Sequence, residues 1–240
     1  MKRVFYIWIV VASFCSSCSD DYYYDIPFNN VQEKILVDAS HDGGVWWFPQ
    51  SIITGFSPAV HHQGKALVDL LKTMGYQVDE LPSYIPVTDS LLSLYKRVIR
   101  AGCYGNYLPS ELAAYTNFLN KKSSLLLISE FRHSPSDIDQ LAEGLGIQFR
   151  GSFYDSVMHY NPHPITAGAV PFYYNAGAIV INDLTNPNIQ VLGKLNNTSR
   201  SPVMGILNHP KSKIFFIGEI NGLESIPQPF TSQLMKWLFF

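Results

Sequence analysis

A regular alternation of short apolar runs with longer amphipathic segments, between residues 34 and 146, constrains the fold more than any other feature of the sequence. The apolar runs are rich in Val, Ile and Leu, which is typical of buried strands. The amphipathic segments carry apolar residues at helical spacing and end near Gly or Lys, as helices do. Strands are predicted at 34–39, 77–81, 96–102 and 123–130, helices at 59–76, 110–122 and 134–146, and a helical turn at 89–95. This alternation predicts a parallel sheet with helices on both faces.

The sequence after Ile147 changes to short β-rich runs that are separated by turn residues. The runs are 177–183, 189–195, 202–208 and 213–220, and the last two predict a β-hairpin. A closing helix is predicted at 229–240, with Leu234, Trp237 and Leu238 on one face. The chain has 240 residues, 47% of them hydrophobic, which is enough for one sizeable core. We therefore predict one α/β domain, residues 30–240, whose C-terminal part is more antiparallel.

The N-terminus has the order of a bacterial lipoprotein signal. Two basic residues precede an apolar run at 4–14, which is too short for a bilayer span of roughly 20 residues. Cys18 follows two serines and precedes Ser-Asp-Asp, an acidic tag that resembles the export signal of surface lipoproteins in the Bacteroidetes group. We expect residues 1–17 to be cleaved, Cys18 to carry lipid, and residues 18–29 to tether the domain to the outer membrane, facing the cell surface or the periplasm. The alternative is an uncleaved membrane anchor.

The cysteine count follows from this interpretation. Of the three cysteines, Cys15 leaves with the signal and Cys18 carries the lipid, so only Cys103 remains and an intrachain disulfide is not expected in the mature chain. The formal net charge of the full sequence is -2, and no dense basic patch predicts binding to nucleic acid.

The histidines have no spacing that is typical of a local metal site, so neither a metal nor another cofactor is predicted. His159 and His163 fall in a segment that contains proline and is predicted to be a loop. We expect His163 to fix the turn before Pro164 and not to bind a ligand.

Several local motifs occur in one order along the chain. A strand ending in DASH precedes a helix closing at MGYQV; LLLISE precedes LGIQF; NPHPITAGAV leads into the β-rich part; and SKIFFIGEI precedes MKWL. Together they resemble the class I glutamine amidotransferase-like fold, in the branch of non-catalytic domains of bacterial lipoproteins, transporter accessory proteins and intraflagellar-transport proteins. The resemblance covers most of residues 34–240 and implies a flavodoxin-like three-layer sandwich around a mostly parallel central sheet.

Active members of that fold place a Cys nucleophile on a strained turn after a central strand and a His-Pro-Glu motif late in the chain. Here Glu130 stands in the place of the nucleophile, and Lys211 follows His209 and Pro210 where the acid is expected. A carboxylate cannot perform thiolate chemistry. A lysine cannot accept the imidazole N–H bond that orients the base. The resemblance therefore implies that amidotransferase activity has been lost.

Polar residues follow the predicted strands at the edge where open α/β sheets bind ligands. Those after the first strand are Asp38, Ser40, His41 and Asp42, and those that reach the same edge from later strands are Cys103, Tyr104 and Glu130. They could bind a polar ligand, or Asp38, His41 and Glu130 could do acid–base chemistry at one rim. The alternative is that Asp38 and Ser40 only satisfy backbone donors in the loop.

Two further features of this edge leave alternatives open. Cys103 lies in AGCYG, which is similar to a nucleophile elbow, but NYLP separates it from the next helix, so a structural cysteine is the other interpretation. Trp46 and Trp47 could form a stacking platform for a sugar or a protein, or could cover the sheet as a lid.

Three functions fit these observations. The first is a lipid-anchored binding domain for a glycan, a peptide or an envelope protein. The second is a hydrolase or amidase that uses Cys103 or the Asp38, His41 and Glu130 rim. The third is an accessory subunit of an envelope transport complex.

Overall fold

The computed structural model of the chain describes residues 33–41, 64–81, 85–102, 106–130, 138–219, 223 and 229–240, all within the compact unit Gln32–Phe240. The strands in these residues are β1 (Lys34–Asp38), β2 (Gln77–Leu81), β3 (Arg97–Ala101), β4 (Ser124–Ile128), β5 (Phe149–Tyr160), β6 (Phe172–Val180), β7 (Ile189–Leu195), β8 (Pro202–Asn208) and β9 (Lys213–Ile217). The helices are α1 (Lys65–Thr73), α2 (Asp89–Leu92), α3 (Pro109–Leu119), α4 (Gln140–Gly144) and α5 (Phe230–Phe239), with a 3₁₀ turn at Pro164–Thr166.

The described strands form one nine-stranded sheet in the order β2-β1-β3-β4-β9-β8-β7-β5-β6. The first five strands of this order are parallel to one another. The remaining pairs are antiparallel, and β8 and β9 form the predicted hairpin. All five residues of β4 are buried, as its continuous apolar sequence and its place between β3 and β9 require.

Helices cover both faces of the sheet. One face packs against α1 and α5, and its cluster includes Ile35, Val37, Leu126, Phe215, Leu67 and Leu234. The other face packs against α2, α3 and α4, and its cluster includes Leu36, Val98, Leu125, Leu92, Phe118 and Leu141. The fold is therefore a three-layer α/β sandwich whose sheet is mostly parallel in its first half and antiparallel later, which confirms the predicted fold class.

The longest strand, β5, was not predicted. It has 12 residues, but only Phe149 and Val157 are buried, so its sequence lacks the apolar run that indicates a strand. Its pairing with β6 is irregular between Arg150 and Tyr154, and Gly151 there has a φ of +79°. His159 lies in this strand, so its placement in a loop was wrong.

Two helices differ from their predicted limits because of local backbone conformation. Asp139 is extended, and its side chain caps α4 by accepting a hydrogen bond from Ala142 N at 3.1 Å, so this helix begins at Gln140. The predicted start at Ser134 lies outside the described residues. Helix α1 begins at Lys65 after Gly64, and residues 59–63 lie outside the described residues.

Candidate functional site

Buried polar side chains collect at the edge of the sheet where the parallel strands end. Asp38 ends β1, Arg100 lies one residue before the end of β3, and Glu130 and Glu219 each follow their strand by two residues. The exposed fractions of these four residues are 1%, 0%, 2% and 0%. We call them the carboxyl-edge residues. Ligands of open α/β sheets bind at this edge, so it is the candidate functional site.

The carboxyl-edge residues are divided between the two faces of the sheet. Asp38 and Arg100 lie on the α3 side, where both approach the ring of Tyr107. Glu130 and Glu219 lie on the other side, where both carboxylates act on the phenol of Tyr174. The division follows from the alternation of side chains along a strand. The edge therefore contains two separate polar groups.

The carboxylate of Asp38 is used entirely within the protein. Its Oδ1 accepts hydrogen bonds from the backbone N of Ser40 at 2.9 Å and from the Ser40 hydroxyl. Its Oδ2 accepts from the hydroxyls of Tyr115 and, at 3.5 Å, Tyr107. Burial, followed by the charge on Asp38, raises the pKa of Tyr115 well above its ordinary value, so Tyr115 remains a donor. Asp38 and Ser40 thus form an Asx-type turn. The hydrogen bond from Tyr115 connects this turn, and with it the end of β1, to α3.

Glu111, in the first turn of α3, is a buried acid with three donors. Its Oε2 accepts from Leu108 N at 2.7 Å, and its Oε1 accepts from Val87 N at 2.9 Å. Nε2 of His41 lies 3.2 Å from the same Oε1. Burial alone would raise the pKa of Glu111, but these hydrogen bonds outweigh it and hold the pKa below its ordinary value. Glu111 is therefore an anion at neutral pH, and the start of the helix favours its charge.

His41 is oriented by two contacts. Its Nε2 faces Glu111, and its ring lies on Tyr107 with centroids 4.0 Å apart and planes 35° apart. The carboxylate can only accept, so the neutral ring must carry its proton on Nε2. Nδ1 is then left as an acceptor. The side chain is 16% exposed, so His41 is the partly accessible member of a largely buried group.

Arg100 and Asp139 form an ion pair in which both side chains are 1% exposed. The guanidinium also donates to the carbonyl oxygens of Gly102 and Ile128, the latter at 3.3 Å. Asp139 accepts in addition from the hydroxyl of Ser129 at 2.9 Å. The ion pair joins the end of β3 to the start of α4, and its hydrogen bonds compensate the removal of both charges from water.

Glu130 and Glu219 surround the buried phenol of Tyr174. Burial, followed by the charges of Glu219 and Glu130, raises the pKa of Tyr174 well above its ordinary value. Its hydroxyl donates to Ala178 O, and Glu219 accepts from Asn175 N at 3.2 Å. These contacts attach β6 to the ends of β4 and β9.

The structure does not unite the proposed rim of Asp38, His41 and Glu130. Asp38 and His41 both contact α3 or the residues just before it, whereas Glu130 lies on the opposite face. The other predicted site residues, Asp42, Trp46, Trp47, Cys103 and Tyr104, lie outside the described residues, as does the lipidation site Cys18. Ser40 is buried, and its hydroxyl points to Asp38.

His209 lies at the other end of the sheet. It sits in the turn between β8 and β9, beside Ser212, whose hydroxyl accepts from Ser123 N just before β4. Glu130 follows the far end of β4, so a five-residue strand, roughly 17 Å at about 3.3 Å per residue, separates them. The correspondence of His209 and Lys211 with the His-Pro-Glu motif is therefore wrong: a base there cannot reach the position of Glu130.

His163 has the role expected from its sequence. Its Nδ1 accepts from Ile165 N at 3.2 Å, and its backbone N donates to the Thr166 hydroxyl at 3.1 Å. The ring also packs on Trp237 of α5, with centroids 5.8 Å apart. His163 therefore fixes the turn at Pro164.

The predicted site did not include four residues that the structure places there: Glu111, Arg100, Asp139 and Tyr115. Glu111 lies in the first turn of α3 and meets His41, 70 residues away in sequence, only after folding. Arg100 lies inside the apolar strand sequence RVIRA. A buried arginine needs a counter-charge, so this sequence is the local signal from which a buried acid such as Asp139 could have been predicted.

The described residues contain neither a cluster of metal ligands nor a membrane-spanning helix. Within them, no group of three or more His, Cys, Asp or Glu side chains is placed to hold a metal ion. None of the helices in the described part of the chain is both long and apolar enough to cross a bilayer.

The fold is shared with several solved structures. The N-terminal domain of mmIFT52 has a TM-score of 0.61 at 16% identity, over 86% of this chain and 96% of that domain. A ThuA-like protein from Bacteroides uniformis has a TM-score of 0.55 at 13% identity, over 90% and 94%. The cytoplasmic protein STM3548 from Salmonella typhimurium has a TM-score of 0.56 at 13% identity, over 86% and 97%.

ThuA-like proteins have the class I glutamine amidotransferase-like fold, and the structure of this chain is of the same kind. At these identities the similarity establishes the fold alone. No family model matches the chain, and no curated protein matches it.

Proposed function

We propose that this protein is a lipid-anchored protein of the bacterial outer membrane whose amidotransferase-like domain binds a ligand or a partner and does not perform amidotransfer. The observation that carries the proposal is Glu130. It is 2% exposed and follows β4 by two residues, the place where the resemblance puts the nucleophile. A carboxylate there cannot replace a thiolate.

The surroundings of Glu130 support a structural role for that carboxylate. It shares its environment with Glu219 and Tyr174, which hold β6 against the ends of β4 and β9. Asp38 is likewise saturated by Ser40 and the tyrosines of the α3 region. We therefore assign the buried acids the role of stabilising the edge of the sheet. Specificity for a ligand would come from other residues, those that follow β1 in the sequence.

The ligand of this edge is a glycan, a peptide or an envelope-protein partner. The support is the sequence after β1, where Trp46 and Trp47 follow a polar loop in a protein with a lipoprotein-type signal. Aromatic side chains supply much of the contact energy at such surfaces. A role as an accessory subunit of an envelope transport complex is one form of this proposal, in which the ligand is another subunit of that complex.

The anchor is tested by Cys18→Ala, with Cys15→Ala as the matched control. We expect the wild-type chain and Cys15→Ala to partition into detergent with the mass of a lipidated N-terminal Cys18, and Cys18→Ala to lose both properties. Lipid on Cys18→Ala would refute Cys18 as the attachment site, and a wild-type chain without lipid would refute the anchor.

Binding at the edge is tested by tryptophan fluorescence of the full chain during titration with glycans and envelope extracts. We expect a saturable change that Trp46→Phe or Trp47→Phe reduces. A response that survives both substitutions would place the binding site elsewhere.

One observation favours a second candidate function, hydrolysis with His41 as the base. Glu111 orients the imidazole at 3.2 Å and leaves Nδ1 as an acceptor, which is how a carboxylate prepares a catalytic histidine. In this case hydrolysis of amide and ester substrates would fall to background in His41→Ala. Equal rates in wild type and His41→Ala exclude this function.

A further inference from the structure

A groove of about 270 Å³ lies at the end of the sheet opposite to the carboxyl-edge residues. It is formed by the last turn of α3, the last turn of α4, the residue before β7, and the turn between β8 and β9. Its volume is just below the range of about 300–1,000 Å³ that is typical of small-molecule sites, which indicates a small ligand. This groove shares no residue with the candidate functional site.

Three side-chain amides line the groove. They belong to Asn120, Asn188 and Asn208, all of which are exposed. None of these amides makes a hydrogen bond to another described residue of the chain. Each amide offers two donors and one acceptor. The amides of three separate segments are therefore available to a ligand at one place.

His209 adds a donor whose position is defined. Its Nδ1 accepts from the backbone N of Ser212 at 3.2 Å and of Lys211 at 3.4 Å. Burial, followed by the charge on Lys211, lowers the pKa of His209, so the ring is neutral at neutral pH. Because Nδ1 accepts, the proton of the neutral ring is on Nε2. Nε2 is therefore the atom of His209 that can donate a hydrogen bond to a ligand.

The remaining lining is uncharged. Leu119 and Leu207 are buried beneath the groove, and Leu145 lies beside them. Thr116 contributes a hydroxyl that donates to Leu112 O at 3.0 Å and can still accept. No residue of the lining is ionised, so the lining offers no counter-charge in exchange for the hydration that a charged ligand would lose.

We propose that this groove binds an uncharged, polyhydroxylated small molecule of about one sugar ring. Hydroxyl groups both donate and accept, as the three amides do, and the C–H face of a ring packs on the leucines. The proposal does not rest on the proposed function, because the groove and the carboxyl-edge residues lie at opposite ends of the sheet.

Gly144 is the position at which we expect a large side chain to fill the groove. It lines the groove at the end of α4, and a Cβ added there meets no atom within 4 Å. Gly144→Trp therefore fills the groove, whereas Gly144→Ala adds one methyl group and leaves it open. Ala also favours the helix over Gly.

The experiment is an NMR titration of the ¹⁵N-labelled full chain, in detergent, with D-glucose, N-acetyl-D-glucosamine and myo-inositol. We expect at least one of these to shift the side-chain amide signals of Asn120, Asn188 and Asn208 with a Kd on the order of 1 mM. Gly144→Trp should raise that Kd at least tenfold, Gly144→Ala should leave it unchanged, and D-glucuronate should bind at least tenfold more weakly than D-glucose.

Failure of all three probes to give a saturable shift would overturn the proposal, and so would a shift that persists in Gly144→Trp. Equal binding of D-glucuronate would overturn the assignment to uncharged ligands. Because Trp46→Phe and Trp47→Phe test the proposed function and Gly144→Trp tests the groove, failure of the one proposal can be distinguished from failure of the other.

Discussion

Nε2 of His41 lies 3.2 Å from Oε1 of Glu111, a carboxylate that two backbone N–H groups hold at the start of α3. This contact joins the residues after β1 to the first turn of α3 across 70 residues of sequence. Glu111, which was not part of the predicted site, therefore holds His41 and two backbone segments together on the α3 side of the sheet.

Glu111→Gln should lower the free energy of unfolding by about 2–3 kcal/mol, because a neutral amide cannot satisfy three donors as a carboxylate does. Urea unfolding measures this change. Asp69→Asn is the control: Asp69 is exposed and pairs with Lys65 one turn before it in α1, and an exposed ion pair contributes little, so the substitution should cost less than about 0.5 kcal/mol. Equal effects of the two substitutions would contradict the role of Glu111.

The same carboxylate predicts a pH dependence. The pKa of folded Glu111 lies below its ordinary value of 4.5, so its stabilising contribution is complete above about pH 4.5 and is lost as the pH falls through the folded pKa. The difference in unfolding free energy between wild type and Glu111→Gln should therefore shrink from about pH 7 to about pH 3. A difference that stays constant or grows on acidification would show that the carboxylate is not the stabilising species.

Tyr115→Phe should destabilise the fold by about 1.5–3 kcal/mol, because it removes a buried donor to the charged Asp38. Tyr95→Phe is the matched control. Tyr95 also donates to an aspartate, Asp79 at 2.9 Å, but both groups are partly exposed and water can replace the bond. We expect the control to cost below about 1 kcal/mol. Thermal denaturation of the two variants beside the wild type measures both losses of stability. Equal losses would contradict the role of Tyr115 as the donor that satisfies buried Asp38.

Asp139→Asn should cost about 3–5 kcal/mol, because it leaves the buried guanidinium of Arg100 without its counter-charge. The double variant Arg100→Met with Asp139→Asn removes both charges and should be more stable than Asp139→Asn alone. Chemical unfolding of four chains, the wild type, the two single variants and the double variant, gives the coupling free energy. Additive effects would show that the two side chains do not interact.

Gly177→Ala should destabilise the fold by about 1–3 kcal/mol. A Cβ at this position would lie 2.5 Å from Cβ of Glu219 and equally near the ring of Tyr174. Gly144→Ala is the matched control, since nothing lies within 4 Å of its Cβ, and it should be neutral or stabilise by up to about 1 kcal/mol. The two melting temperatures should move in opposite directions or only that of Gly177→Ala should fall.

The fold could be predicted where local sequence and burial agree. The apolar run of β4 and the paired runs of β8 and β9 have no other way to bury their side chains, and both predictions are confirmed. Strand β5 could not be predicted, because it is stabilised by pairing with β6 and β7 and not by its own apolar content.

The candidate site was predictable only in its location. Parallel strands bring Asp38, His41 and Glu130 to one edge, but which face each side chain takes depends on strand alternation beyond the last paired residue. The partners of His41 and Arg100 come from distant segments, so no spacing in the sequence reveals them. His209 shows the converse error: a motif can match in sequence and lie at the wrong end of the sheet.

The central claim, that this amidotransferase-like domain has lost amidotransferase chemistry, is tested most directly by the release of glutamate from glutamine. The measurement compares the full chain with Glu130→Gln and Cys103→Ala. We predict that all three give the rate of buffer alone. A wild-type rate above that background, abolished by either substitution, would contradict the account.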